Sequence, residues 1–313
     1  MTGSILITDY AWPDLTIERD LFAAAGFDII SVTDQTDGRT ALDLIPDCVA
    51  IMTCWATVSG ELLKSGTNLR SVARFGVGTD NIDLVTARSL GLPVTYVPDY
   101  CVEEVSDHAL ALCLAWMRGV VRLDAAIRSG SWDPAAVKLR RVRSLTIGVW
   151  GYGRIGRRVA EKFAGIGCTV IAYDPIAPTG GPVERVDLEE LLRRSDVVTL
   201  HMPPAGDGSS SVGADEFAAM KTDALLMNTA RGALVDTQAL LNALDSGHIG
   251  GAALDVVSGE PDLPAELVAH QRVILTPHVA FSSTESIVEL RERACLDVIR
   301  VLKGETPLNP VPA

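Results

Sequence analysis

Three glycines, Gly151, Gly153 and Gly156, stand in GxGxxG spacing within IGVWGYGRIGRRVAEKFAGIGCTVIAYD (147–174), directly after an apolar run and at the start of a helical pattern. Glycine permits a tight strand-to-helix turn, lets backbone approach a pyrophosphate, and brings helix against strand. Amide groups near Arg154 and Ile155, at the first helical turn, then face the phosphates. Asp174 closes the following apolar run 18 residues beyond Gly156. A carboxylate there accepts hydrogen bonds from a ribose diol and repels a 2'-phosphate, so the expected cofactor is NAD(H) over NADP(H). Arg154, Arg157 and Arg158 are nearby cations that could soften this preference. For Arg157 and Arg158 a solvated helix face is the favoured reading.

Three more segments carry groups suited to hydride transfer at a 2-keto acid: a cation, a proton donor and a group that orients the donor. MNTARGALVD (227–236) places Arg231 after an apolar run, where its guanidinium fork suits a carboxylate. GGAALDVVSGEP (250–261) carries Asp255 at a strand end and Glu260 in the loop beyond; ILTPHVAFSS (274–283) carries His278. A carboxylate such as Glu260 raises the basicity of an imidazole and fixes its tautomer. Taken singly, Arg231 reads as a surface ion pair, Glu260 as a turn residue and His278 as a satisfied loop histidine; their shared placement after strands favours the catalytic reading. Among the other histidines, His108, His248 and His270 are expected to be structural, and His201, beside Met202, Pro203 and Pro204, to shape a cofactor pocket.

These residues need parallel strands to hold them. Short β-rich runs at 4–9, 27–32, 49–54, 70–75 and 92–97 form one series, and runs at 145–151, 168–174, 196–201, 224–229, 249–255 and 273–277 form a second. Several are continuously apolar, as strands covered on both faces are. The expected fold is therefore α/β, with two Rossmann-like or flavodoxin-like domains built on parallel sheets. VEEVSDHALALCLAWMRGVVRLDAAI (102–127) is apolar around most of a helical wheel. It reads as one helix buried either within its own subunit or against a partner. Residues 283–302 form an amphipathic helix that returns to the first domain. This predicts a discontinuous domain, 1–98 plus 287–313, around an inserted cofactor domain, 99–286.

The balance of the chain narrows the partners. Of 313 residues, 27 are basic and 40 acidic, a formal net charge of −13; 48% are hydrophobic and 21% charged. Each half can bury a core, and an acidic chain without a concentrated basic tract is repelled by phosphate backbones and anionic lipid. Nucleic acid and membrane partners are not expected. The six cysteines form no CxxC pair and no zinc pattern, so no metal is expected and reduced thiols are. With no basic leader and no run of about 20 apolar residues, a cytoplasmic location is expected.

In order along the chain, RFGVGTDNID, PDYCVEEVSDHALALCL, GVWGYGRIG, YDP, HMPP, NTARGALVD, GGAALDVVSGEP and TPH resemble the successive motifs of the D-isomer-specific 2-hydroxyacid dehydrogenase family. The resemblance implies that Arg231, Glu260 and His278 are catalytic, with His278 as acid/base and Arg231 holding substrate. It implies that Asp255 meets the nicotinamide carboxamide, and that Arg154, Ile155, Asp174, the Met202 to Pro204 turn, Thr229 and Ala230 line the cofactor. Backbone amides of Val77 and Gly78 would hold the substrate carboxylate. Domain closure over the substrate and dimerisation through residues 102–127 are also implied. RFGVGTDNID, VEEVSD and TPHVAFSSTES are most similar to the branch that includes the C-terminal binding proteins, where Arg74 matches an arginine contacting keto acid and Phe281 an aromatic position. Cys54 and Trp55 replace the polar pair of many members. They suggest an apolar side-chain pocket of Trp55, Tyr100 and Phe281, the alternative being that Trp55 packs within the first domain. The functional expectation is an NAD-dependent 2-hydroxyacid dehydrogenase or 2-keto acid reductase; the alternative is an NAD(H)-responsive binding or corepressor-like protein.

Overall fold

The computed structural model describes residues 3–35, 37–176, 182–205 and 208–312. The chain divides into two compact units, Met1–Tyr100 with Ser283–Ala313, and Cys101–Ser282. Each is built on a wholly parallel sheet, in agreement with the α/β expectation.

In the first unit, strands β1 (Ser4–Ile7), β2 (Asp28–Ser31), β3 (Cys48–Thr53), β4 (Ser71–Arg74) and β5 (Val94–Thr95) stand in the order β2-β1-β3-β4-β5. Ile5, Leu6, Ile7, Ile51, Met52 and Val72 are fully buried, because helices cover both faces of a parallel sheet. The helix Thr284–Leu302 belongs to this unit and lies against the helix Thr16–Ala25. Its Arg291 enters the interior and pairs with Glu18, which is 0% exposed, through contacts of 2.8 and 2.7 Å. The same guanidinium lies 5.3 Å from the Trp12 ring.

The second unit carries β6 (Thr146–Trp150), β7 (Thr169–Tyr173), β8 (Glu184–Arg185), β9 (Val197–Leu200), β10 (Leu225–Asn228), β11 (Gly251–Leu254) and β12 (Val273–Leu275), ordered β12-β11-β10-β9-β6-β7-β8. Chain direction across the sheet reverses between β6 and β9, the place where such sheets open a crevice at their carboxyl ends. In the first unit the corresponding reversal lies between β1 and β3.

The single helix expected over 102–127 is two helices, Val102–Met117 and Val120–Arg128. Gly119 separates them with φ +64°, a left-handed conformation, and a Cβ there would meet Val137 at 2.8 Å. The first helix buries Ala109, Leu112, Cys113 and Trp116 and lies against the helix Arg154–Gly165. The second buries none of its residues, and Val120, Val121 and Ile127 are exposed. The apolar wheel is therefore covered along its first half only.

Candidate active site

In the second unit, β6 runs into Gly151, which has φ +96°; a Cβ there would lie 2.5 Å from the His201 carbonyl carbon. Gly156 is equally enforced, since its Cβ would stand 2.0 Å from the Gly151 oxygen. Gly153 differs: nothing lies within 4 Å of the place a Cβ would take. It caps the helix Arg154–Gly165 without any side-chain cap bond, and Arg154 beside it is exposed. Two glycines thus serve packing, and the middle one clears space before a helix N-terminus that carries positive dipole and donor amides. Arg157 is not on that path, since its Nε donates to the Tyr152 carbonyl at 3.1 Å; Arg158 pairs with Glu103 at 2.7 Å.

Asp174 follows β7 and reaches back to the same turn. Its Oδ2 accepts the Tyr152 amide at 2.7 Å and its Oδ1 the Ile176 amide at 2.8 Å. After β9, the His201 ring lies 2.8 Å from the Thr199 hydroxyl, and burial pushes its pKa down to about 3. It is neutral at working pH, which suits a pocket wall and not a proton carrier. Met202, Pro203 and Pro204 continue from it. After β10, Thr229 is buried and its hydroxyl has no hydrogen-bond partner, an orphaned group of the kind a ligand satisfies. An uncapped amide turn, a diol acceptor and an orphaned hydroxyl at adjoining strand ends together fit a dinucleotide.

The next loops bring the reactive groups together. Ala230 and Arg231 leave β10 under the control of Asn228, whose Oδ1 accepts the Ala230 amide at 3.0 Å and whose Nδ2 donates to the Arg231 carbonyl at 2.7 Å. Gly232 follows because a Cβ would stand 2.2 Å from the Val257 carbonyl carbon. That close approach draws the Arg231 loop onto the loop of Glu260. The Glu260 Oε2 accepts the Val257 amide at 2.9 Å, and Oε1 lies 2.5 Å from His278 Nδ1. Burial alone would raise the Glu260 pKa. The hydrogen bonds from His278 and Val257, with the charges of His278 and Arg231, outweigh it and hold the carboxyl below its ordinary range.

His278 adopts φ +53°, left-handed backbone that costs energy for a non-glycine residue and recurs at functional sites. Asp255 holds it there. Its backbone carbonyl accepts the His278 amide at 2.8 Å; its carboxylate accepts the Thr276 hydroxyl at 2.5 Å and the Val279 and Ala280 amides at 3.0 and 2.8 Å. His108 Nε2 lies 2.9 Å from the same Thr276 hydroxyl, which explains that histidine as a structural group. At 2% exposure Asp255 is an anchor of the His278 loop, and a carboxamide contact would have to use the remaining lone pair of Oδ2. Phe281 meets the His278 ring edge-on at 6.1 Å.

In the first unit, Arg74 ends β4 and folds over the Phe75–Gly78 turn: a Cβ on Gly76 would stand 2.3 Å from Arg74 Nη1. Val77 and Gly78 are partly exposed beyond it. Trp55, in the loop after β3, is 46% exposed, so it is not a core residue of that unit, whereas Tyr100 is 7% exposed. Sequence reading missed Asp9, which follows β1 and binds the Trp55 loop. Among the described residues no group of three His, Cys, Asp or Glu side chains could hold a metal ion.

Comparison with known proteins gives this geometry a family. Residues 110–280 match the model described as D-isomer specific 2-hydroxyacid dehydrogenase, NAD binding domain. The glyoxylate reductase of Thermococcus litoralis is 38% identical over 81% of this chain and 80% of its own length. A solved protein of Thermus thermophilus superposes with a TM-score of 0.90 at 33% identity, over 99% of this chain and 100% of its own. The NADPH-dependent glyoxylate/hydroxypyruvate reductase of Sinorhizobium meliloti, solved with NADP and malonate, gives 0.88 at 27% identity, covering 99% and 97%. The finer resemblance to the C-terminal binding proteins gains no support from these names. The chain belongs to the D-isomer-specific 2-hydroxyacid dehydrogenase family.

Proposed function

We propose that this protein is an NAD(H)-dependent reductase of small 2-keto acids, acting reversibly as a D-2-hydroxyacid dehydrogenase. The observation that carries the reading is the 2.5 Å contact between His278 Nδ1 and Glu260 Oε1, beside the Arg231 charge. When bound, NAD(H) supplies or accepts the hydride at C2 of the acid. The residues do the rest. Arg231 holds the carboxylate and polarises the carbonyl oxygen; its planar fork matches both demands. His278, with Nδ1 turned to Glu260, presents Nε2 to that oxygen and gives it a proton during reduction. The Glu260 carboxylate stabilises the imidazolium form before transfer and fixes the tautomer after it.

Gly151, Gly153, Arg154, Ile155, Gly156, Asp174, His201, Met202, Pro203, Thr229 and Ala230 are assigned to the cofactor, with Asp255 behind the nicotinamide end as anchor of the His278 loop. Asp174 supports NAD over NADP, because a carboxylate after β7 accepts from a ribose 2'-hydroxyl and repels a 2'-phosphate. In the first unit, the substrate-domain role falls to Arg74, Val77, Gly78, Trp55 and Tyr100; in the second, Phe281 is assigned to the substrate as an apolar neighbour of the His278 ring. The exposed Val120, Val121 and Ile127 support a homodimer formed over the second half of 102–127, since contiguous exposed apolar residues mark association surfaces. Six free, buried cysteines accord with a reducing, cytoplasmic setting. The assembled trio and reductase relatives favour turnover over a binding-only role.

The test is NADH oxidation followed by absorbance against a panel from glyoxylate and hydroxypyruvate to branched and aryl 2-keto acids, with His278→Ala as control. Turnover that the control abolishes is the expected result. NADH binding without turnover of any acid in the panel would contradict it.

A further inference from the structure

Beside Asp174 stands a cation that the spacing of the glycine-rich segment does not mark. Arg185 closes β8, where it is in register with Ala172 of β7. Its Nη2 donates to the Asp174 carbonyl at 3.0 Å, and its guanidinium lies 4.9 Å from the centre of the Tyr152 ring in the turn after β6. One side chain from β8 thus reaches the carboxyl ends of both neighbouring strands in the order β6-β7-β8. Tyr152 is 7% exposed, and its amide is the one that donates to Asp174 Oδ2 at 2.7 Å. Arg185, Tyr152 and Asp174 therefore form one cluster, at the place assigned to the adenosine ribose.

Among the described residues no carboxylate pairs with the Arg185 guanidinium. Its chain neighbour Glu184 stands on the opposite face of the strand and is held by Arg194 at 2.7 and 2.8 Å. The other arginines near the turn are differently placed: Arg157 lies 5.5 Å from the same ring but uses its Nε on the Tyr152 carbonyl, and Arg158 is paired with Glu103. The ring accounts for how the Arg185 guanidinium packs. It leaves Nη1, which is buried and has no hydrogen-bond partner. A buried donor without an acceptor costs free energy, and a donor on a cation regains most from an anion.

We propose that Arg185 is a specificity-determining residue for the cofactor: it is a donor already in place for a 2'-phosphate, which the charge of Asp174 turns away. The ribose seat then carries both signs, an acceptor for the 2'-hydroxyl and a donor for a phosphate. Preference for NAD(H) rests on a single carboxylate, and removing that carboxylate opens the seat to NADP(H) without any cation being added. The inference rests on the dinucleotide assigned to this turn and deepens it by naming what sets its type.

The experiment needs no turnover. NADH and NADPH, which differ only in the 2'-phosphate, are titrated calorimetrically into the full-length protein, Asp174→Ser, Arg185→Gln and the double variants Asp174→Ser/Arg185→Gln and Asp174→Ser/Arg185→Lys, with thermal melts of each. The ratio of the two dissociation constants is the quantity read, because a loss of general packing moves both together. Asp174→Ser is expected to shift the ratio towards NADPH ~10-fold or more, the scale of one hydrogen bond to a charged group. Asp174→Ser/Arg185→Gln should lose that gain, whereas Asp174→Ser/Arg185→Lys, which keeps the charge, should retain most of it and serves if the glutamine variant does not fold. NADPH binding to Asp174→Ser should also weaken with salt more steeply than NADH binding. A double glutamine variant that kept the whole gain would overturn the proposal by giving the phosphate to another cation. No gain in Asp174→Ser, or equal losses for both cofactors whenever Arg185 is replaced, would overturn it by leaving Arg185 a packing group. Failure of the cofactor reading itself is separately visible as no NADH binding by the unmodified protein.

Discussion

The two units meet the same topological situation in opposite ways. Each is a parallel sheet with one reversal of strand order, and at each a carboxylate of the chain accepts a loop amide, Asp9 in the first and Asp174 in the second. At the β1/β3 reversal the protein supplies the anion itself: Asp9 fills the nest formed by Cys54, Trp55 and Ala56. At the β6/β9 reversal Asp174 takes only the Tyr152 amide of the turn, and the helix start at Gly153 carries no side-chain acceptor. Gly153 has no neighbour within 4 Å of a Cβ, and the helix behind it has no side-chain cap. Amides that could bind a carboxylate of the chain or a phosphate of a ligand are thus used once for rigidity and once for recognition.

The largest effect expected from breaking this arrangement is loss of the proton donor. His278→Ala should lower kcat ~10²- to 10⁴-fold while leaving NADH affinity near that of the parent, as single-turnover absorbance and titration would read. The proposed function puts the chemistry on the loops of the second unit, so substitutions in the first should not produce this signature.

Next comes the first unit's interior. Glu18→Ala would remove the buried partner of Arg291, leaving it the exposed Asp14 carboxylate at 3.5 Å, and should cost about 3 kcal/mol, read as a lowered denaturant midpoint. No such penalty is expected from removing Asp174, which is only half-buried and accepts the Tyr152 and Ile176 amides.

Smaller again is the orientation of the base. Glu260→Gln should reduce kcat about 10- to 100-fold and alter the pH profile. The sign follows from the depressed Glu260 pKa: its contribution is present above the ordinary carboxylate range and is lost as pH falls through the lowered value. The stability gap between the parent and Glu260→Gln should therefore close as pH is taken down through that range in thermal melts. A gap that widened on acidification would contradict the pairing.

The sequence made much of this readable because the chemistry of the second unit is local. Gly151, Gly153 and Gly156 lie within one turn, and Arg231, Glu260 and His278 each follow an apolar run, so strand ends and reactive groups could be named together. The eleven runs read as strands lie where β1 to β7 and β9 to β12 form. β8, only Glu184–Arg185, had no apolar run to announce it, since it is a two-residue edge. The break at Gly119 was hidden because apolar residues continue across it; the left-handed turn is fixed by Val137, a contact no helical wheel contains. Asp9 was missed for a related reason. Its partners are amides 45 to 47 residues away, and a backbone amide leaves no mark in residue types. The same holds for Asp255, whose strand-end position was evident but whose bonds to Thr276, Val279 and Ala280 needed the fold.

The contrast between a filled and an open nest is tested most directly by calorimetric titration of NADH into the parent and Gly153→Ala, with thermal melts of both. The backbone at Gly153, φ −78°, admits alanine, and the space ahead of it is clear. The account predicts an unchanged melting temperature with NADH affinity weakened about tenfold or more, because the methyl group would stand where the pyrophosphate must approach. Equal affinity in the two proteins would mean that the open turn is not the cofactor's seat.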